Sequence, residues 1–168
     1  LLGSAKRIEN SFNRLVGDFA TNSVFIIPSV TNMPFKGFQE GRRVQLTQTN
    51  ANQIAENIDG VEFVVPRNMN QSLVVRKFLS GSFNIAGDYP ILDQVQKKDM
   101  MKGRFINQND IDGKKKVTVI SEDIYKQLFE KDEEPIGEYI QINGLNYIVI
   151  GVFSTGNIQI GPRDQIHI

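Results

Sequence analysis

Apolar residues recur at helical spacing near the start of the chain. Ile8, Phe12, Leu15, Val16 and Phe19 fall on one stripe, with Lys6, Arg7, Glu9, Asn10, Asn13 and Arg14 on the other face. This period predicts an amphipathic helix over Lys6 to Ala20, and Thr21-Asn22 is a plausible stop because asparagine tolerates the left-handed conformation. Val24-Phe25-Ile26-Ile27 reads as a strand closed by Pro28, which cannot donate to a ladder. Residues 31–41 carry Pro34, Gly37 and Gly41 and read as a loop, yet Met33, Phe35 and Phe38 are apolar. Such a loop is either tucked onto a core or is an exposed contact tip. Thr49 is expected to cap a short helix with a narrow stripe of Ala51, Ile54, Ala55 and Ile58, and Gly60 stands just past its end. Val61 to Pro66, Ser72 to Leu79 and Ser82 to Ala86 read as strands. A helix crossing between strands suggests a sheet with helices on one face.

The texture changes at Tyr89. Pro90 suits the first turn of a helix reaching about Val95, and a polar loop runs through Asp112-Gly113. Val117-Thr118-Val119-Ile120 predicts a strand. Ser121 then caps a helix from Glu122 to Phe129, with Glu122 and Asp123 placed where the helix dipole favours acids. Lys131 to Glu134 is a charged turn. Asn143-Gly144, between two apolar runs, predicts a type I′ hairpin, whose central residues both need positive φ. The second strand, Leu145 to Phe153, is apolar at nearly every residue from Tyr147, so both its faces should be covered.

Composition narrows the picture only slightly. Of 168 residues 40% are hydrophobic and 23% charged, as in a globular chain able to bury a core. Nineteen basic and nineteen acidic residues cancel, leaving no electrostatic case for nucleic acid or an anionic membrane surface. There is no cysteine, hence no thiolate chemistry. No apolar stretch approaches the roughly 20 residues that span a bilayer, and no signal peptide is visible. The chain opens Leu1-Leu2-Gly3-Ser4 and stops at Ile166-His167-Ile168 in mid-pattern, which reads as a piece of a longer polypeptide.

Candidate chemistry is sparse. The single histidine, His167, lies at the chain end and is a poor catalytic base, since a triad needs its imidazole held by a third group. A zinc site lacks its His and Cys ligands. Gln108-Asn109-Asp110-Ile111-Asp112-Gly113 starts like a calcium loop, but its first position is Gln108 and the bidentate position falls on Val119. Phosphate-loop and dinucleotide signatures are absent from the sequence. Lys97-Lys98 and Lys114-Lys115-Lys116 read as solvated loops, and Glu122-Asp123 as a capping feature, not a catalytic pair.

Taken in order, the amphipathic helix leading into Val24-Phe25-Ile26-Ile27, then Gly103-Arg104-Phe105, Val117-Thr118-Val119-Ile120, Leu128-Phe129, Pro135-Ile136-Gly137, Ile140-Gln141-Ile142-Asn143-Gly144 and Tyr147-Ile148-Val149-Ile150-Gly151-Val152 resemble the periplasmic core domain of MacB-like ABC transporter permeases, within the FtsX superfamily. The resemblance covers most of the chain and is best from Tyr89 onward. It implies an α+β fold: a partial porter-like α/β layer with an inserted small α/β subdomain. Residues 1–22 would be a stalk-like helix, 23–88 the first half of the porter-like layer, 89–155 the inserted subdomain and 156–168 a return strand. The second half of the porter layer is missing from this sequence, so an unpaired sheet edge is expected, open to swapping or dimer contacts.

The resemblance also implies a non-enzymatic role on the periplasmic face of the inner membrane. ATP would be bound by a separate nucleotide-binding unit, leaving this domain without a cofactor. Its partners would be its own transmembrane helices and cytoplasmic ATPase, a second permease copy or paralogue, and a periplasmic adaptor or cargo protein, with no nucleic acid. Phe12, Leu15 and Phe19 are then the candidate coupling stripe, and Met33, Phe35 and Phe38 the candidate partner-contact loop. The domain would couple ATP hydrolysis to export or lipoprotein release. The alternative is an extracytoplasmic ligand-sensing or binding module. A small hydrolase would need a nucleophile and base from residues outside this sequence.

Overall fold

The computed structural model describes residues 23–34, 36–155 and 165–168. Among them the fold is mixed α and β, in the order α1 (Gln48–Asn57), β1 (Asn68–Arg76), β2 (Leu79–Gly87), α2 (Leu92–Val95), β3 (Met100–Gly103), α3 (Gln108–Asp112), β4 (Val117–Ser121), α4 (Glu122–Leu128), β5 (Tyr139–Ile142), β6 (Leu145–Phe153) and β7 (Gln165–His167). Asn22–Pro66 forms one compact unit, while Arg67–Ile168 belongs to the other.

Two antiparallel hairpins build the Arg67–Ile168 unit. Asn143 and Gly144 sit at φ 48° and 82°, so the β5–β6 turn adopts the left-handed pair that a type I′ turn requires, with Ile142 opposite Leu145. β1 and β2 pair along their whole length, from Asn68 opposite Gly87 to Arg76 opposite Leu79. Along β1 the period-two pattern places Ser72, Val74 and Arg76 inside and leaves Leu73 exposed.

Seven strands are joined in the order β3-β6-β4-β7-β2-β1-β5, and β5 pairs again with β6. The strands β6, β4, β7, β2, β1 and β5 therefore close on themselves, with β3 beside the far end of β6. Closure removes free edges from that circuit. β4 is buried at every residue, as expected of a strand covered on both faces. Ile120 joins a core with Val74, Phe83, Ile85, Ile124, Leu128, Ile140, Val149 and Ile166, while its neighbour Val119 joins a second one with Phe105, Ile106 and Phe153. Ser121 accepts a hydrogen bond from the Ile124 amide and starts α4, which carries Ile124 and Leu128 onto the first core. β3 lies so close to β6 that a Cβ on Gly151 would stand 2.3 Å from the Arg104 carbonyl oxygen. Glycine there is a packing requirement.

Several expectations are corrected. The run Val24 to Ile27 forms no strand: Val24 and Ile27 are 86% and 83% exposed, and the only pairing nearby among the described residues is an isolated bridge from Val30 to Arg43. Val61 to Pro66 is likewise not a strand. The first helix of the described region begins two residues earlier than expected, because Thr47, not Thr49, accepts from the Asn50 amide while Asn50 Oδ1 accepts from the Thr47 amide. The strand expected from Ser72 to Leu79 begins at Asn68 and stops at Arg76, since Lys77 and Phe78 make the turn and Leu79 opens β2. The polar stretch before Gly113 is not all loop. Asn107 accepts from the Asp110 amide and Asp110 accepts from the Asn107 amide, a reciprocal cap that winds Gln108–Asp112 into α3.

Candidate functional site

The candidate contact loop lies in the Asn22–Pro66 unit. Hydrogen bonds from the Thr31 amide to the Arg42 carbonyl (2.9 Å), from the Gly41 amide to the Thr31 carbonyl (2.7 Å) and from the Val44 amide to the Ser29 carbonyl (3.0 Å) pinch its base. Lys36, Gly37 and Gly41 take positive φ and turn the chain back. Met33 and Phe38 stand 72% and 57% exposed on this excursion, and the Arg42 guanidinium lies 4.5 Å from the Phe38 ring centre. Within its unit the loop is therefore an exposed tip, not a flap folded inward. Phe35 lies outside the described residues, as do Phe12, Leu15 and Phe19 with the rest of the expected Lys6 to Ala20 helix.

The sheet unit holds two buried charged clusters that sequence reasoning passed over. Arg76 points inward from β1 and is almost wholly enclosed. It donates to Glu133 at 2.6 and 3.1 Å, to Glu138 at 3.1 Å and to the Leu128 carbonyl at 3.2 Å, with its guanidinium 3.9 Å from the Phe129 ring centre. Burial works against its charge, but its hydrogen bonds to the Glu133 and Glu138 carboxylates, with their negative charges, outweigh it and raise the Arg76 pKa. Glu133 is held at about 2, chiefly by Arg76, then by the Glu130 amide and Lys77. This cluster bolts the β1–β2 hairpin to the connection between α4 and β5. The available signal was its strand phase: Ser72, Val74 and Arg76 share one face, so an inward arginine required a carboxylate partner.

The second cluster contains the histidine set aside in the sequence. His167 closes β7 and is fully buried; its Nδ1 is hydrogen-bonded to Asp88, just beyond β2. Arg67 pairs with the same carboxylate, Nε to Oδ1 at 2.8 Å, and Thr118 donates to the His167 carbonyl at 3.0 Å. Phe105 and Phe153 meet the imidazole edge-on, with ring centres 5.3 and 5.2 Å away. Burial lowers the His167 pKa below 6.5; Asp88 opposes the shift, while Lys98 and Arg67 add to it. The Nε2 atom has no hydrogen-bond partner. The His–Asp half of a triad is present, but Nε2, which a serine hydroxyl would meet, is buried without a partner.

Asp110, the carboxylate of the calcium-like stretch, is satisfied internally. Arg104 donates to it at 2.5 and 3.0 Å and holds its pKa at about 2 against burial, helped by the Asn107 amide and Lys115. No group of three His, Cys, Asp or Glu side chains that could hold a metal occurs among the described residues, and no helix among them is long and apolar enough to cross a membrane.

Comparison with known proteins agrees with this geometry. The chain is 29% identical over 126 residues to the macrolide export ATP-binding/permease protein MacB of Rhodospirillum rubrum, covering 74% of this chain and 19% of that protein. To the same-named protein of Campylobacter fetus it is 25% identical over 154 residues, covering 89% and 22%. The chain thus spans about a fifth of the length of the curated relatives it matches. In fold it is similar to the periplasmic region of MacB from Actinobacillus actinomycetemcomitans, with a TM-score of 0.65 at 21% identity over 90% of this chain and 66% of that one. The extracellular domain of the noncanonic ABC-type transporter YknZ from Gram-positive bacteria gives 0.61 at 22% identity, over 73% and 61%. Residues 5–168 match the sequence profile of the MacB-like periplasmic core domain, and the chain belongs to that family.

Proposed function

We propose that this domain works on the extracytoplasmic side of an ABC transporter permease as a non-catalytic coupling element. It passes movement from the membrane helices, driven by ATP hydrolysis in a separate cytoplasmic unit, to a periplasmic adaptor or cargo protein during export or lipoprotein release. The observation that carries this reading is the closed circuit of strands bolted by Arg76 to Glu133 and Glu138. A body cross-linked between its first hairpin and the connection into its last one displaces as a unit, since packed interiors transmit strain. The stripe of Phe12, Leu15 and Phe19 is the input in this scheme, and the Met33, Phe35 and Phe38 loop the output.

Replacing Phe12 or Leu15 with aspartate in the full transporter is expected to leave ATPase activity in place while export falls at least tenfold. Unchanged export in a normally assembled transporter would remove the stripe from the coupling path.

A further inference from the structure

β7 is the shortest strand of the sheet and occupies a seam. It pairs in parallel with β2, Asn84 to Gln165 and Ala86 to His167, and antiparallel with β4, Val119 to His167 and Ile120 to Ile166. Its last side chain anchors it. Nδ1 of His167 meets the Asp88 carboxylate, and Nε2 is buried with no acceptor in reach. That environment favours the neutral imidazole carrying its proton on Nδ1, which leaves only a lone pair unmatched at Nε2. A second proton would leave a buried N–H unpaired at Nε2, on a ring packed by Phe105 and Phe153, where an unmade hydrogen bond is costly.

The neighbouring charges give a proton no better home. Asp88 already serves Arg67, and Lys98 lies buried against the Phe153 ring at 5.1 Å. An imidazolium would add a second cation to the carboxylate that Arg67 already holds, with the positive charge of Lys98 acting against it. β4 sets Val119 opposite His167 and the Thr118 hydroxyl on its carbonyl, while β6 contributes Phe153; none of these is charged.

We propose that His167 is an acid-released latch: protonation of its buried ring frees β7 from β2 and β4 and opens the circuit of strands along that seam. The β5–β6 ladder and its pairing with β1 stay closed, because the imidazole meets β6 at Phe153, beyond the Leu145 to Ile148 stretch that pairs with β5. The direction follows from the lowered pKa. The unfolded or opened chain takes up the proton first, so the stabilisation is complete above about pH 6.5 and is lost as the pH falls from there through the folded-state value. The carboxylates of Glu133 and Asp110 are held near 2, well below the window between pH 6.5 and 5, so these two clusters keep their charges through it.

His167 is the only histidine in the chain, so its ring nitrogens can be read by NMR on the isotope-labelled 168-residue protein. The expected signature is the neutral Nδ1–H tautomer at pH 7.5. On acidification toward pH 5, hydrogen exchange should accelerate at Ile166, Ile168, Asp88 and Ile120 before it does at Tyr139 to Ile148. The unfolding constant should rise by up to about tenfold per pH unit in this window, one proton's worth. His167→Asn, whose amide can still donate to Asp88, should flatten that rise. An imidazolium at pH 7.5, or exchange that accelerates at the same pH in both regions, would overturn the latch. Both readouts use the unmodified chain, so the result stands even where the variant fails to fold.

Discussion

Two apolar runs of this chain have opposite fates. Tyr147 to Phe153 becomes the centre of a sheet, whereas Val24 to Ile27 stays exposed and forms no strand. Side-chain character does not separate them. The difference lies in what the backbone joins: β6 has β5 and β3 along one flank and β4 along the other, while Val24 to Ile27 enters no strand ladder. A strand is a property of a pair, because buried amides and carbonyls must be matched. An apolar run states only what will be hidden if a partner exists.

The comparison can be broken at its strongest point by shortening a phenylalanine in each region. Phe153→Ala removes a fully buried ring that holds the second core together and is expected to cost about 3–5 kcal/mol. Phe38→Ala, on the exposed loop, should change stability by less than about 0.5 kcal/mol. Urea unfolding of both variants gives the answer, and equal costs would mean that the loop is packed against something. A smaller effect is expected at Gly151, where an added methyl must displace the backbone between β6 and β3: Gly151→Ala should cost about 1–3 kcal/mol, seen as a lower unfolding midpoint. The mildest change sharpens the other side of the comparison. Thr47→Ala removes the α1 cap at about 1 kcal/mol, and faster hydrogen exchange should be confined to Gln48–Asn57, because the lost hydrogen bonds belong to the first turn of that helix.

Residues 117–153 were legible because each element carries a local signal with one physical meaning. Ser121 before two acids can only start a helix, and Asn143-Gly144 between apolar runs can only turn a hairpin. Elsewhere two signals competed. Thr47 and Thr49 each have an asparagine three residues on, so the spacing alone could not choose the cap. Asn107 to Asp112 is polar throughout, and a capping box in such a stretch looks the same as a solvated turn until its two hydrogen bonds are seen. The strands expected at Val24 to Ile27 and Val61 to Pro66 do not form, since joining a ladder depends on distant segments that no local pattern encodes. The candidate sites show the same division. The exposed Met33 and Phe38 could be suspected from apolar residues in a glycine-containing loop. The Arg67–Asp88–His167 cluster could not, because it assembles from three points far apart in the chain, and His167 looked peripheral only in sequence.

The placement of β7 also governs when the molecule can become itself. Its pairing joins Asn84 to Gln165, so β1 and β2 are synthesised long before the strand that locks them to β4. During translation the β5–β6 hairpin can form as soon as it emerges, since its contacts are local. The circuit must wait for the last strand, and closing so long a loop is the slow, entropically costly part of folding. Until then β2 and β4 present open edges, and a ribosome-bound chain paused before Gln165 would be a template for pairing with its neighbours.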